Sequence, residues 1–222
     1  MIINDKRKFF FVCVPKTAST TLSKYFVEAD GIVIEKSWYK ERWHWPAKTI
    51  LIQYSGRVHD HVRFEDYFSF AYHRNPWDRL VSSWIEFTQE KGHLMTWSQG
   101  LADQYKTFNE FVLDLKKSKW AQTLHFRPST FYTHREYRVR KDGKNKIKYK
   151  QVVNFIAQYS NFDEDTKTIF DKVGLDFSKL PTKKQRKSNR DPDYRKYYTN
   201  DEMIETVADL YSADINIHGD KF

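Results

Sequence analysis

Along the chain, the first strong pattern is a continuous apolar run, FFFVCV at residues 9–14. Its aromatic and β-branched members suit a strand buried on both faces. A polar hexapeptide, PKTAST at 15–20, follows. Leu22, Tyr25, Phe26 and Ala29 then fall at i, i+3, i+4 and i+7, the apolar face of a helix. Gly31 ends this helix, and GIVIE at 31–35 reads as another strand. Residues 37–45 are aromatic and basic without a period, and Pro46 opens a short helix through Tyr54, closed by Gly56. The alternation of YFSFAYH at 67–73 predicts a strand, and RNP at 74–76 breaks it. Trp77, Leu80, Val81, Trp84 and Ile85 mark the next helical face, so strand, loop and helix recur as a unit.

Residues 91–104 read as a loop and 108–115 as a helix. The basic stretch 135–150 centres on Asp142-Gly143, a hairpin turn signal. Residues 152–174 read as helical, and 181–196 as a charged, proline-interrupted loop. Thr199 and Glu202 have capping-box spacing ahead of a last helix marked by Ile204, Val207, Ala208 and Tyr211. With no internal repeat and no long linker, the expectation is a single α/β domain over residues 1–222, its central parallel sheet flanked by helices.

Composition narrows the partners. The formal charge of +9 favours anions: a phosphorylated nucleotide, an acidic or sulfated glycan, nucleic acid or an anionic membrane. The one cysteine, Cys13, excludes an internal disulfide and fits a reducing compartment. The apolar run at 9–14 is far short of the roughly twenty residues a spanning helix needs, and no secretory signal is visible. A soluble, cytoplasmic protein is expected.

Two segments carry candidate chemistry. A loop entering a helix presents backbone N–H groups and the positive end of the helix dipole to an anion. PKTAST does this with Lys16 as a full charge and Thr17, Ser19, Thr20 and Thr21 as hydroxyl donors. Its lysine leads and it contains no glycine, unlike the GxxxxGK[ST] loop of ATP-binding proteins. The alternative is an ordinary polar turn capping a helix. In RNPWDRLVSSW at 74–84, Arg74 and Ser82 lie eight residues apart, about two helical turns, and both could hold a phosphate. The alternative is that Arg74 pairs with a carboxylate and Ser82 is a small packing residue.

In this order the two segments resemble the nucleotide-binding motifs of sulfotransferases that use PAPS (3′-phosphoadenosine 5′-phosphosulfate). PKTAST resembles their 5′-phosphosulfate loop, and RNPWDRLVSSW their 3′-phosphate motif. HFRPS at 125–129, VVNFIAQYSNF at 152–162, KSNRDPDYRKYYTNDE at 187–202 and the tail DINIHGDKF extend the likeness, with Ser160 where the family pattern has a glutamate. The kinship is with membrane-type carbohydrate sulfotransferases and their bacterial-type relatives.

The resemblance implies a P-loop-like three-layer fold and transfer of a sulfuryl group from PAPS to an acceptor hydroxyl, probable class a glycan, leaving PAP (adenosine 3′,5′-bisphosphate). Pro15, Lys16, Thr17, Ala18, Ser19, Thr20 and Thr21 would cradle the 5′-phosphosulfate, Arg74 and Ser82 the 3′-phosphate, and Lys187 and Ser188 would lie in a loop closing over the nucleotide. HDHV at 59–62 is similar to a segment of uronyl 2-O-sulfotransferases whose second histidine is the general base, which carries to His61. His44 is the other candidate base, and His59 would orient the substrate or His61. His125 and Arg127 would contact the acceptor. No metal is expected, since one cysteine and loosely spaced histidines make no ligand set. Two rival readings are phosphoryl transfer from ATP through a variant loop and a basic nucleic-acid-binding module using the 135–150 hairpin. The second leaves the paired motifs unexplained. A further alternative is a fold that binds PAP without turnover.

Overall fold

The structure is a computed structural model describing residues 1–30, 44, 46–53, 57–59, 62–88, 96–180 and 190–222. In chain order the elements are β1 (Ile2–Asn4), β2 (Phe9–Val12), α1 (Ser19–Asp30), α2 (Ala47–Gln53), β3 (Arg57–His59), β4 (Val62–Arg63) and β5 (Phe68–His73). There follow α3 (Pro76–Thr88), α4 (Thr96–Gln104), α5 (Phe108–Leu115), α6 (Ser129–Thr133), β6 (His134–Lys141) and β7 (Lys144–Gln151). The last are β8 (Phe155–Gln158), α7 (Phe162–Val173), α8 (Asp201–Leu210) and α9 (Ser212–His218). They divide into one unit formed by Met1–His73 with Ser129–Gln185 and another formed by Arg74–Pro128 with Arg186–Phe222.

The first unit is a three-layer α/β structure. Its sheet has the order β1-β2-β5-β8, with β2, β5 and β8 parallel and β1 an antiparallel edge. Strand alternation sends Phe9, Phe11, Cys13, Phe70 and Tyr72 to one face, where Leu22, Tyr25 and Phe26 of α1 and Ile169, Phe170 and Val173 of α7 cover them. Phe10, Val12, Val14 and Ala71 go to the other, against Ala47 of α2, Phe64 and Tyr132 of α6. Because both faces are covered, FFFV carries no polar residue to report an exposed side. Phe11 is fully buried and stacks on Phe70 at 5.4 Å, so Phe11→Ala would cost about 3–5 kcal/mol.

Residues 152–174 are not one helix. Phe155–Gln158 is the strand β8, paired in register with Phe70–His73 of β5. Asn154 docks its start: its side-chain oxygen accepts from the Ser69 N–H (2.6 Å) and hydroxyl (2.8 Å). A four-residue apolar run carries no decisive period, so this long-range pairing settles its conformation. The helical part begins at Phe162 and closes at Gly174, whose φ of 68° is the left-handed C-terminal signal. The predicted hairpin does form. β6 and β7 pair from His134↔Gln151 to Lys141↔Lys144, and Asp142 (φ 53°) and Gly143 (φ 74°) take the left-handed pair that a type I′ turn requires.

The second unit is helical around α3, which is buried along nearly its whole length. Trp77, Leu80, Val81, Trp84 and Ile85 pack with Phe111, Val112 and Leu115 of α5 and Met203 and Val207 of α8. Residues 96–104 form α4 where a loop is expected. The sequence TWSQGLADQ gives little apolar period, and two tertiary contacts hold it: Leu101 is fully buried, and the Trp120 indole N–H donates to Gln104 Oε1 at 2.9 Å. The cap of α8 is Asn200, whose side chain accepts from Met203 N at 3.0 Å, rather than the expected Thr199–Glu202 box. A complete capping box occurs instead at Thr107 and Glu110, ahead of α5. The strand read at 31–35, the aromatic segment at 37–43 and the loop at 181–189 lie outside the described residues. Among the described residues, no helix is long and apolar enough to cross a membrane.

Candidate functional site

The loop after β2 is built by its backbone. Val14 N bonds back to Val12 O (3.0 Å), and the buried Thr17 hydroxyl donates to Val14 O (2.9 Å), folding the chain tightly on itself. Lys16 has φ 68° and Ala18 φ 61°, both left-handed, while Thr17 between them does not. An L-residue in this region costs roughly 1–2 kcal/mol, and neither position holds glycine. Alternating hand turns successive backbone N–H groups inward, forming a concavity that receives an anion. The Ala18 carbonyl accepts from Leu22 N (3.1 Å), the opening bond of α1, so the positive end of that helix lies at the loop. Pro15, Thr17 and Ser19 are buried, Lys16, Ala18 and Thr21 half-buried, and Thr20 exposed.

His44 is held beside this loop. Its Nδ1 lies 2.7 Å from the carbonyl oxygen of Cys13, two residues before Pro15. A carbonyl only accepts, so Nδ1 carries the proton and the neutral ring keeps its basic lone pair on Nε2. His59 is the last residue of β3, and His61 lies outside the described residues. The structure therefore brings one of the two candidate bases, His44, to the loop.

In the second unit, RNP explains itself locally. Asn75 caps α3: its side-chain oxygen accepts from Trp77 N (3.1 Å), and its carbonyl accepts from Arg79 N (2.9 Å). Pro76 takes the first helical position, where a missing N–H does no harm. Arg74, just ahead of the helix, forks onto Asp78 through Nε (2.7 Å) and Nη2 (2.9 Å). Arg190 reaches the same carboxylate, Nη2 to Oδ1, at 2.6 Å. Burial opposes ionisation of Asp78, but the two guanidiniums outweigh it and hold its carboxyl below the usual range. With one carboxylate against two arginines, the cluster keeps a net positive charge. The buried Arg190 Nη1 has no hydrogen-bond partner among the described residues. Ser82, also buried, sits one turn beyond Asp78 on the same helix face.

Arg74 thus does pair with a carboxylate, as its structural alternative holds, yet the pair is part of a cationic cluster. Arg190 was read only as one cation of a charged loop. Its partner Asp78 is distant in sequence and no spacing links them, although the acidic residue four after Arg74 was a usable signal.

His125 and Arg127 are positioned through their backbones. Arg79, almost fully buried, donates to the Arg127 carbonyl (2.6 Å) and, through Nη1, to that of His125 (3.4 Å). The Ser83 hydroxyl adds a bond to the same His125 oxygen (3.3 Å). The His125 ring meets Phe87 edge-on at 4.9 Å, and Arg127 Nε donates to Gln122 O. Lys187 and Ser188 lie outside the described residues. No His, Cys, Asp and Glu side chains among the described residues group in a way that could hold a metal ion.

Comparison with known proteins bears on what these groups serve. An uncharacterized protein of Archaeoglobus fulgidus is 27% identical over 113 residues, 50% of this chain and 72% of its own length. A crystal structure of a sulfotransferase from Alicyclobacillus acidocaldarius aligns with 97% of this chain and 96% of its own, at a TM-score of 0.39 and 13% identity. The model of the sulfotransferase family matches residues 1–219. That match spans nearly the whole sequence, and the chain belongs to the sulfotransferase family.

Proposed function

We propose that this sulfotransferase acts as one catalytic domain over residues 1–222, moving the sulfuryl group of PAPS to a hydroxyl, with a glycan as the acceptor class. The observation that carries the donor assignment is the pair of left-handed, non-glycine residues, Lys16 and Ala18, in a loop that feeds a helix. Backbone held in so unfavourable a form points to a functional demand, and oriented amides meet the demand of an oxyanion. In this reading residues 15–21 receive the 5′-phosphosulfate. Arg74 and Ser82 receive the 3′-phosphate, with Arg190 added to that set for its buried Nη1. Lys187 and Ser188 belong to the covering loop.

The chemistry then runs in line. Nε2 of His44 takes the acceptor proton as the acceptor oxygen bonds to sulfur. The bond from sulfur to the bridging phosphate oxygen breaks, and Lys16 neutralises the charge left on that oxygen. His44 is preferred over His61 because its tautomer is set by the Cys13 carbonyl. His59, His125 and Arg127 remain assigned to the acceptor.

Calorimetry with PAP, and with ATP and Mg²⁺ in parallel, tests the donor. PAP should bind and ATP should bind more weakly. A folded protein that ignores PAP sinks the reading, and tight ATP binding with turnover replaces it with phosphoryl transfer. His44→Ala should lower turnover by about 10²–10⁴ with PAP affinity retained. Retained turnover would move the base to His61.

A further inference from the structure

The β6–β7 hairpin departs from the rest of its unit. Apart from His134, Val139 and Tyr149, every strand residue is exposed, so the ladder is wet on both sides. The register sorts its charges. Residues opposite one another share a face, and faces alternate along each strand. One face receives Arg135 and Lys150, Tyr137 and Lys148, Val139 and Lys146, and Lys141 and Lys144. The other receives His134 and Gln151, Glu136 and Tyr149, Arg138 and Ile147, and Arg140 and Asn145. The first face therefore has six cations and no acid, and none of the six forms an ion pair among the described residues. The second has Arg138 and Arg140 with Glu136 beside them.

This sorting works against the hairpin. Arg135 faces Lys150 and Lys141 faces Lys144, and like charges directly opposite are destabilising in a two-stranded ladder that is marginal by itself. Lysines that merely protect exposed strands from pairing with other chains would serve on either face. The one-sided arrangement calls for a ligand that neutralises it.

We propose that this face binds an acidic polysaccharide, the polyanionic form of the hydroxyl-bearing acceptor. The inference rests on the sulfuryl-transfer reading for the ligand's role, though not for its charge. Five of the six cations are lysines, point charges without the planar fork that arginine offers to phosphate. Tyr137, 44% exposed, is the one aromatic residue among them. It can lie against a sugar ring, whereas single-stranded nucleic acids are held on successive aromatic platforms.

The test is binding of polygalacturonate, an unsulfated acidic polysaccharide, with dextran as the neutral chain and poly(dT) as the nucleic acid. Polygalacturonate should bind, should weaken steeply with salt, and should bind better than poly(dT). Lys146→Glu with Lys148→Glu should weaken it about tenfold or more, and Arg138→Glu with Arg140→Glu on the opposite face less than about threefold. Equal losses from the two faces, a salt-independent affinity, or preference for poly(dT) would each overturn the proposal. Circular dichroism of both variants separates loss of binding from loss of fold, and the wild-type salt titration stands without them. PAP calorimetry on the same samples keeps the two readings apart. Lost PAP binding with an intact face effect rejects the sulfuryl-transfer role alone.

Discussion

The loop at residues 15–20 and the Arg74–Asp78–Arg190 cluster are both suited to anions, and they are made differently. The loop relies on backbone shape: left-handed residues, a buried threonine tie and a helix end. The cluster relies on side-chain charge, two guanidiniums ordered by one carboxylate. A site of amides keeps its charge distribution at any pH and tolerates most side-chain change. A site of ion pairs is stronger per group but depends on every partner, because removing one leaves another buried and uncompensated.

The largest expected effect would break this contrast at the residue that belongs to both styles. Lys16→Ala should reduce turnover on the order of 10²–10³-fold, since it removes a charge directed at the leaving oxygen, while PAP affinity falls much less. A comparable loss of PAP affinity would mean that the loop binds by side-chain charge after all. Next, Arg74→Ala should weaken PAP roughly 10- to 100-fold by isothermal calorimetry, the worth of a charged hydrogen-bonding group.

The cluster should also respond to acid. Asp78 is held below its ordinary range in the folded state, so its stabilising contribution is complete above the unfolded value near pH 4 and is lost as pH falls through the folded one. Thermal melts below about pH 4 should show a loss of stability that Asp78→Asn flattens, at the expense of lower stability at neutral pH. An unchanged acid limb would show that the carboxylate does not order the arginines. The smallest effect belongs to the loop. Ala18→Gly should raise stability by about 1 kcal/mol in a denaturant titration, by relieving a left-handed alanine. No gain would mean that the loop carries little strain.

Much of this was legible in the chain because it is local. FFFV, YFSFAYH and the Asp142-Gly143 turn announce themselves through period and turn chemistry. RNP encodes a cap and a first helical residue in three letters. What stayed hidden depends on partners far along the chain. The strand Phe155–Gln158 is specified by β5 and Asn154, and α4 by Leu101 and Trp120. The same holds for the candidate site. PKTAST and RNPWDRLVSSW can be read as words, but the meeting of His44 with Cys13, and of Arg190 with Asp78, exists only in three dimensions.

Cys13 gives the molecule a built-in reporter. It is the sole cysteine, is fully sealed beneath the sheet, and its Sγ lies 3.6 Å from the Ser23 hydroxyl of α1. A thiol reagent can reach it only when the segment around β2 and α1 opens. Labelling kinetics would then count those openings, and a ligand seated on the neighbouring loop should slow them in proportion to its occupancy, in the unmodified protein and without a reaction being followed.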